Sequence, residues 1–149
     1  MEKSKNNSDV ALLQEIYKSV TMGTDAATML LGKVDNGSLK KELTAQIDTY
    51  QGFANRAKNK LSALSIEAKD VGTLEKLPAE MSIMMSTLTD TSESKIAELM
   101  INGAVMGVSE YKEMIRNADD AGASQDNIKL AGDILSFHEE IINKMRIYL

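Results

Sequence analysis

The sequence contains no cysteine and no tryptophan, and only one proline and one histidine in 149 residues. Without cysteine there are no disulfides, no thiolate catalysis and no cysteine-ligated zinc or iron–sulfur centre. A single proline leaves little to interrupt long helices. Aromatics make up 4% of the chain, which gives little scope for stacking on bases. The net charge of −5 supplies no basic surface for neutralising phosphates, so no nucleic-acid partner is expected. No apolar run is long enough for a membrane span: Leu99–Val108 reaches about half the required length and contains Asn102. Met1–Asn7 is polar and no apolar signal core follows it, so the expected location is cytoplasmic. Enzymatic templates are also missing. There is no glycine-rich phosphate loop, no G-x-S-x-G elbow and no second histidine for a proton relay. Ser136 and His138 stand two apart, so on a helix their side chains diverge.

What the chain does have is 43% hydrophobic residues, including ten methionines. A core of Leu, Ile, Met and Ala is implied, in an all-α fold. The expected organisation is a flexible N-terminus over 1–7 and a single four-helix-bundle domain over 8–149. Ser8 or Asp9 can cap a first helix carrying Leu13, Ile16, Val20, Thr24, Ala27, Leu31 and Val34 at helical spacing, ended by Asn36-Gly37. Ser38 can cap a second, with Leu39, Leu43, Ile47, Tyr50, Ala54, Ala57, Leu61 and Leu64 inward. Residues 66–78 break the pattern at Gly72, Thr73 and Pro78. A short helix should follow, with Met81, Met84, Met85 and Leu88 on one face, most simply packed on the bundle and otherwise a protomer interface. Asp90 and Glu93 have the spacing of a capping box for a third long helix, with Ile96, Leu99/Met100, Gly103, Met106/Gly107, Glu110, Met114 and Asn117 inward. Ser124 should cap the last helix, whose stripe runs Ile128, Ala131, Ile134/Leu135, His138, Ile141/Ile142, Met145, Leu149. The pattern Gly103-x-x-x-Gly107, with Gly52 and Gly132, suggests close approach between soluble helices.

The connections run short, long, short. Thirteen extended residues reach roughly 43–47 Å, about the roughly 40 Å length of a helix over 39–65. The segment over 66–91 can therefore cross the bundle lengthwise, as in ferritin-like folds; the alternative is an up-down bundle with a helical insertion.

The stretches LLQEIYKSVTMGTDA, AEMSIMMSTLTDT, KIAELMINGAVMGVSEY and SFHEEIINKM resemble those of small uncharacterised ferritin-like four-helix-bundle proteins of Gram-positive bacteria. The resemblance implies a ferritin-like fold and no particular activity. Di-iron bundles of this class draw six inward ligands from their helices, including two Glu-x-x-His pairs. Here the corresponding positions read Thr24, Ile47-x-x-Tyr50, Gly103 with Met106, and Leu135-x-x-His138. Asp48-x-x-Gln51 and Glu140-x-x-Asn143 are rotated off the core face. The weak metal candidates are His138, Glu110 and Tyr50, and the di-metal site reads as degraded. His138 is more simply a core residue hydrogen-bonded to Tyr50 or Glu110. No catalytic residue and no cofactor are expected, iron or manganese being the alternative. Thioether binding of Cu(I) by the Met face lacks support from cysteine or a histidine nearby in sequence. The expected role is therefore non-catalytic, structural or interaction-based, with self-association and a protein partner the sequence does not identify. The competing class is a metal-binding or iron-handling protein with an atypical site.

Overall fold

Long runs of straight-chain residues and the near absence of proline give helices throughout. The structure, a computed structural model, describes residues 2–35, 37–69 and 79–149, with side chains described outside 2–6 and 80. Its elements are α1 (Glu2–Leu31), α2 (Gly37–Ala63), α3 (Ala79–Ser86), α4 (Glu93–Asp120) and α5 (Gln125–Met145), followed by a 3-10 turn over Arg146–Tyr148. The expected all-α class holds. No described helix is long and apolar enough to cross a membrane.

Side-chain contacts fix the helix directions. α1 packs along α2, and α4 along α5, as two antiparallel hairpins. At one end Ser8 Oγ donates to the Ala121 carbonyl at 2.9 Å, and Asp9 Oδ1 accepts from Ser124 N at 2.8 Å. The start of α1 thus meets the end of α4. At the same end Arg56 pairs with Asp133 at 3.1 Å and Lys60 pairs with Asp126, joining the end of α2 to the start of α5. At the far end Ser38 and Tyr148 hydroxyls meet at 2.7 Å. α1 is therefore antiparallel to α4, and α2 antiparallel to α5. It follows that α2 and α4 run in the same direction, and that the chain between Ala63 and Glu93 joins opposite ends. Its first part is held to α1 by Gln14, which donates to the Glu67 carbonyl and accepts from Lys69 N. The expected breaks at Gly72, Thr73 and Pro78 lie outside the described residues.

Several local expectations are corrected. Ser8 and Asp9 do not cap α1; they tie it to α4 and α5, because both lie inside the helix facing the next hairpin. α2 begins at Gly37, so the expected Asn36 stop is outside the described residues and Ser38 lies in the first turn. The α4 cap is Ser92, whose Oγ accepts from Lys95 N at 3.2 Å; Asp90 accepts instead from Ser92 N at 3.0 Å. Serine places its oxygen on the third helical N–H, the usual N-cap geometry. On α4 the buried residues are Ile96, Ala97, Leu99, Met100, Ala104, Gly107, Tyr111, Met114 and Ala118. Gly103, Met106, Glu110 and Asn117, expected inward, are exposed. On α2 the inward residue is Gln46, with Ile47 half-buried. Leu149, expected on the α5 stripe, is exposed.

Candidate functional site

α1 and α4 are the walls that fail to close. Between them lies a groove of about 530 Å³, within the ordinary range of small-molecule sites. The α1 wall carries Met22, Gly23, Ala26 and Ala27, and the α4 wall Met100, Gly103, Ala104 and Gly107. The small residues Ala26, Gly103 and Ala104 leave the space open. Gln46 and Tyr50 of α2, with His138 and Ile141 of α5, form the floor. α3 lies over part of the groove through Met81, Met84 and Met85. Six of the ten methionines line it, counting Met106. The expected single Met face is thereby refined: Met85 is buried, Met84 is 41% exposed, and Leu88 falls beyond the end of α3.

Two glycines seat the floor's rings. A Cβ on Gly107 would come within 2.7 Å of the His138 imidazole, and one on Gly23 within 2.6 Å of the Tyr50 ring. Each ring therefore lies against helix backbone. The close approach expected at Gly107 is thus to a side chain. Gly103, Gly52 and Gly132 have no atom within 4 Å of such a Cβ, so none of them serves close helix approach. The Tyr50 hydroxyl lies 3.4 Å from His138 Nε2. Tyr111 and Phe137 flank the imidazole, with ring centroids 5.5 and 5.9 Å away. Phe137 also meets Tyr50 edge-on at 5.0 Å.

Burial governs the protonation of this floor. Desolvation pushes the His138 pKa down to about 4, against a weaker raising contribution from the Ile134 carbonyl. The imidazole is neutral near pH 7. Nδ1 has no hydrogen-bond partner, and the Tyr50 hydroxyl and Nε2 meet with the donor set by the imidazole tautomer. Burial, reinforced by Glu110, raises the Tyr50 pKa to about 12, so its hydroxyl keeps its proton. Burial likewise raises Tyr111, whose hydroxyl sits beside Ser19 with no formed hydrogen bond. Gln46 Nε2 is buried and has no partner. At the groove's edge stand Glu15, Lys18 and Glu110. Partial burial raises the Glu110 pKa, with Glu15 adding to the rise and Ser19 and Lys18 opposing it.

The metal candidates meet in one cavity: His138 and Tyr50 touch on the floor, and Glu110 stands at the edge. These residues do not fit a carboxylate-bridged pair of metals. The buried polar side chains of the described residues are Asp9, Gln46, Asn127 and His138. Asp9 is committed to Ser124, at the end of the molecule away from the groove. Among the described residues no three His, Asp or Glu side chains come together around one point. The floor offers instead neutral donors and acceptors under an apolar, methionine-rich roof.

Sequence reasoning missed Gln46 and Tyr111. Gln46 continues the Leu39–Leu43–Tyr50 rhythm, but Ile47 beside it is the more apolar choice. Tyr111 is fully buried and follows Ala104 and Gly107 at helical steps, one residue after Glu110, which the spacing from Gly103 and Met106 makes the expected inward position. No family model, curated protein or solved structure matches the chain.

Proposed function

We propose that this chain is a non-catalytic helical bundle of ferritin-like order that binds an apolar small molecule in the α1–α4 groove. The parallel run of α2 and α4 supports the ferritin-like order. The observation that carries the binding role is the groove itself: apolar walls around a few convergent, incompletely paired polar groups. Methionine suits such walls because its unbranched thioether adapts to different shapes. A degraded metal centre agrees with this role, since Thr24, Ile47, Gly103, Met106 and Leu135 stand where di-iron bundles carry ligands and none of them introduces a charge.

The experiment is a titration with the neutral fluorophore N-phenyl-1-naphthylamine. A saturable rise in emission at one site per chain is expected, abolished in Gly103→Phe, whose side chain would enter open groove space. A rise that survives in Gly103→Phe, or no rise with either protein, overturns the reading. Near-stoichiometric iron or manganese in protein purified without chelators, lost in His138→Gln, would move the protein to the metal-handling class.

A further inference from the structure

The groove's polar groups restrict the charge and chemistry of what it can hold. Gln46 is 7% exposed, and its Nε2 has no hydrogen-bond partner. Buried donors are ordinarily paired, so one left without a protein partner on a residue that lines a cavity is a position for an acceptor that arrives with a ligand. The neighbouring Tyr50 hydroxyl is already turned to His138. On this floor His138 is neutral near pH 7, and the charge that acts on Tyr50 is the Glu110 carboxylate at the groove's edge. The cationic side chain lining the groove is Lys18, and it stands between Glu15 and Glu110 at the edge. A carboxylate or phosphate placed inside would lose its water with no cation to receive it; at the edge it would meet more negative than positive charge. An ammonium could donate nothing to Gln46 Nε2, which is itself a donor.

Shape adds a second restriction. The α1 wall extends from Glu15 to Leu30, roughly 22 Å at the helical rise. With a volume near 530 Å³, that length describes a narrow channel rather than a round cavity. Gly23 and Gly107 have their Cβ positions taken up by the Tyr50 and His138 rings, so the channel stays open beside Ala26, Gly103 and Ala104.

We propose that the groove selects an uncharged, elongated apolar molecule bearing an ester, ketone or similar oxygen, which accepts a hydrogen bond from Gln46 Nε2. This rests on the binding role proposed above. The test displaces N-phenyl-1-naphthylamine with methyl laurate, laurate, laurylamine and dodecane. Methyl laurate should compete about tenfold better than each of the other three, the discrimination expected of one buried hydrogen bond or one buried charge. In Gln46→Leu it should fall to the level of dodecane, while the probe itself still binds. Gln46→Met serves the same purpose if Leu disturbs folding, as judged by helical circular dichroism. Laurate equal to or tighter than the ester overturns the proposal. So does laurylamine tighter than the ester, which would place recognition at Glu15 and Glu110, or an ester affinity untouched by either substitution. In those cases the groove still binds the probe and only the ligand class is wrong. Failure of the probe to bind wild-type protein removes both.

Discussion

The two ends of the α1–α4 seam are built differently. At the end holding the start of α1, the helices are closed. Leu13, Ile16, Leu130 and Ile134 are fully buried there. The same end is tied by Asp9 to Ser124, Ser8 to Ala121, Arg56 to Asp133 and Gln14 to Glu67. Further along, from Ser19 to Leu30, the same two helices separate around the groove, and methionines and glycines replace leucines and isoleucines. Ser8 and Asp9 are paired at the closed end, whereas Gln46 Nε2 and His138 Nδ1 at the groove, and the Tyr111 hydroxyl beside the imidazole, lack partners. The closed end holds the fold; the open end sacrifices packing and hydrogen bonding, and those are what a ligand can restore.

The largest effect should separate the two ends directly. Leu13→Ala at the closed end removes a side chain with no exposed surface and should cost about 2–5 kcal/mol in urea unfolding. Met22 lines the groove, and Met22→Ala should cost less than about 2 kcal/mol, because Met22 is only half-buried and one side of it already lacks packing partners. Equal losses would mean that the groove is as tightly packed as the closed end, and the contrast would collapse.

How much of this contrast could be read in the sequence differs by residue. His138 was legible because it is one polar residue on an apolar helical stripe. The reach of the segment over 66–91 admitted a lengthwise crossover or a helical insertion; the structure shows α2 and α4 running in the same direction, with residues 70–78 outside the described ones. Glu110 and Tyr111 were not separable, because over the 28 residues of α4 a helix drifts against any fixed repeat and a one-residue phase error exchanges them. Gly103 and Gly107 looked like one close-packing motif. In the structure Gly107 seats an imidazole while Gly103 opens on the groove. That distinction depends on what the neighbouring helix presents, which no local pattern encodes. The groove was illegible for the same reason: it is a space between helices, set by α1 and α4 standing apart.

Acid should distinguish the ends next. The folded His138 pKa of about 4 lies below the ordinary 6.5. As pH falls, the unfolded chain takes up the proton first, so unfolding becomes easier. The stability tied to neutral His138 is complete above about pH 6.5, is lost as pH falls toward about 4, and changes no further below that. The loss should be about 3 kcal/mol. His138→Gln should show a correspondingly shallower decline in urea-derived stability between pH 7 and pH 4, since the carboxylates common to both proteins cancel in the comparison. Parallel declines would mean that the imidazole is hydrated and the floor is not dry.

The smallest effect sets two glycines four residues apart against each other. Alanine lowers the conformational cost of an interior helical position by about 1 kcal/mol relative to glycine. At Gly103 no atom lies within 4 Å of the added Cβ, so Gly103→Ala should stabilise the protein by about 0.5–1 kcal/mol. At Gly107 the added Cβ would lie 2.7 Å from the imidazole, which Tyr111 and Phe137 flank. Overpacking there should cost about 1–3 kcal/mol, enough to cancel or exceed the gain in helix propensity. Thermal or urea unfolding of the two single variants should therefore give opposite signs, or a gain at Gly103 against no gain at Gly107. A gain of equal size at both positions would show that His138 does not rest on α4, and that the floor of the groove is arranged otherwise.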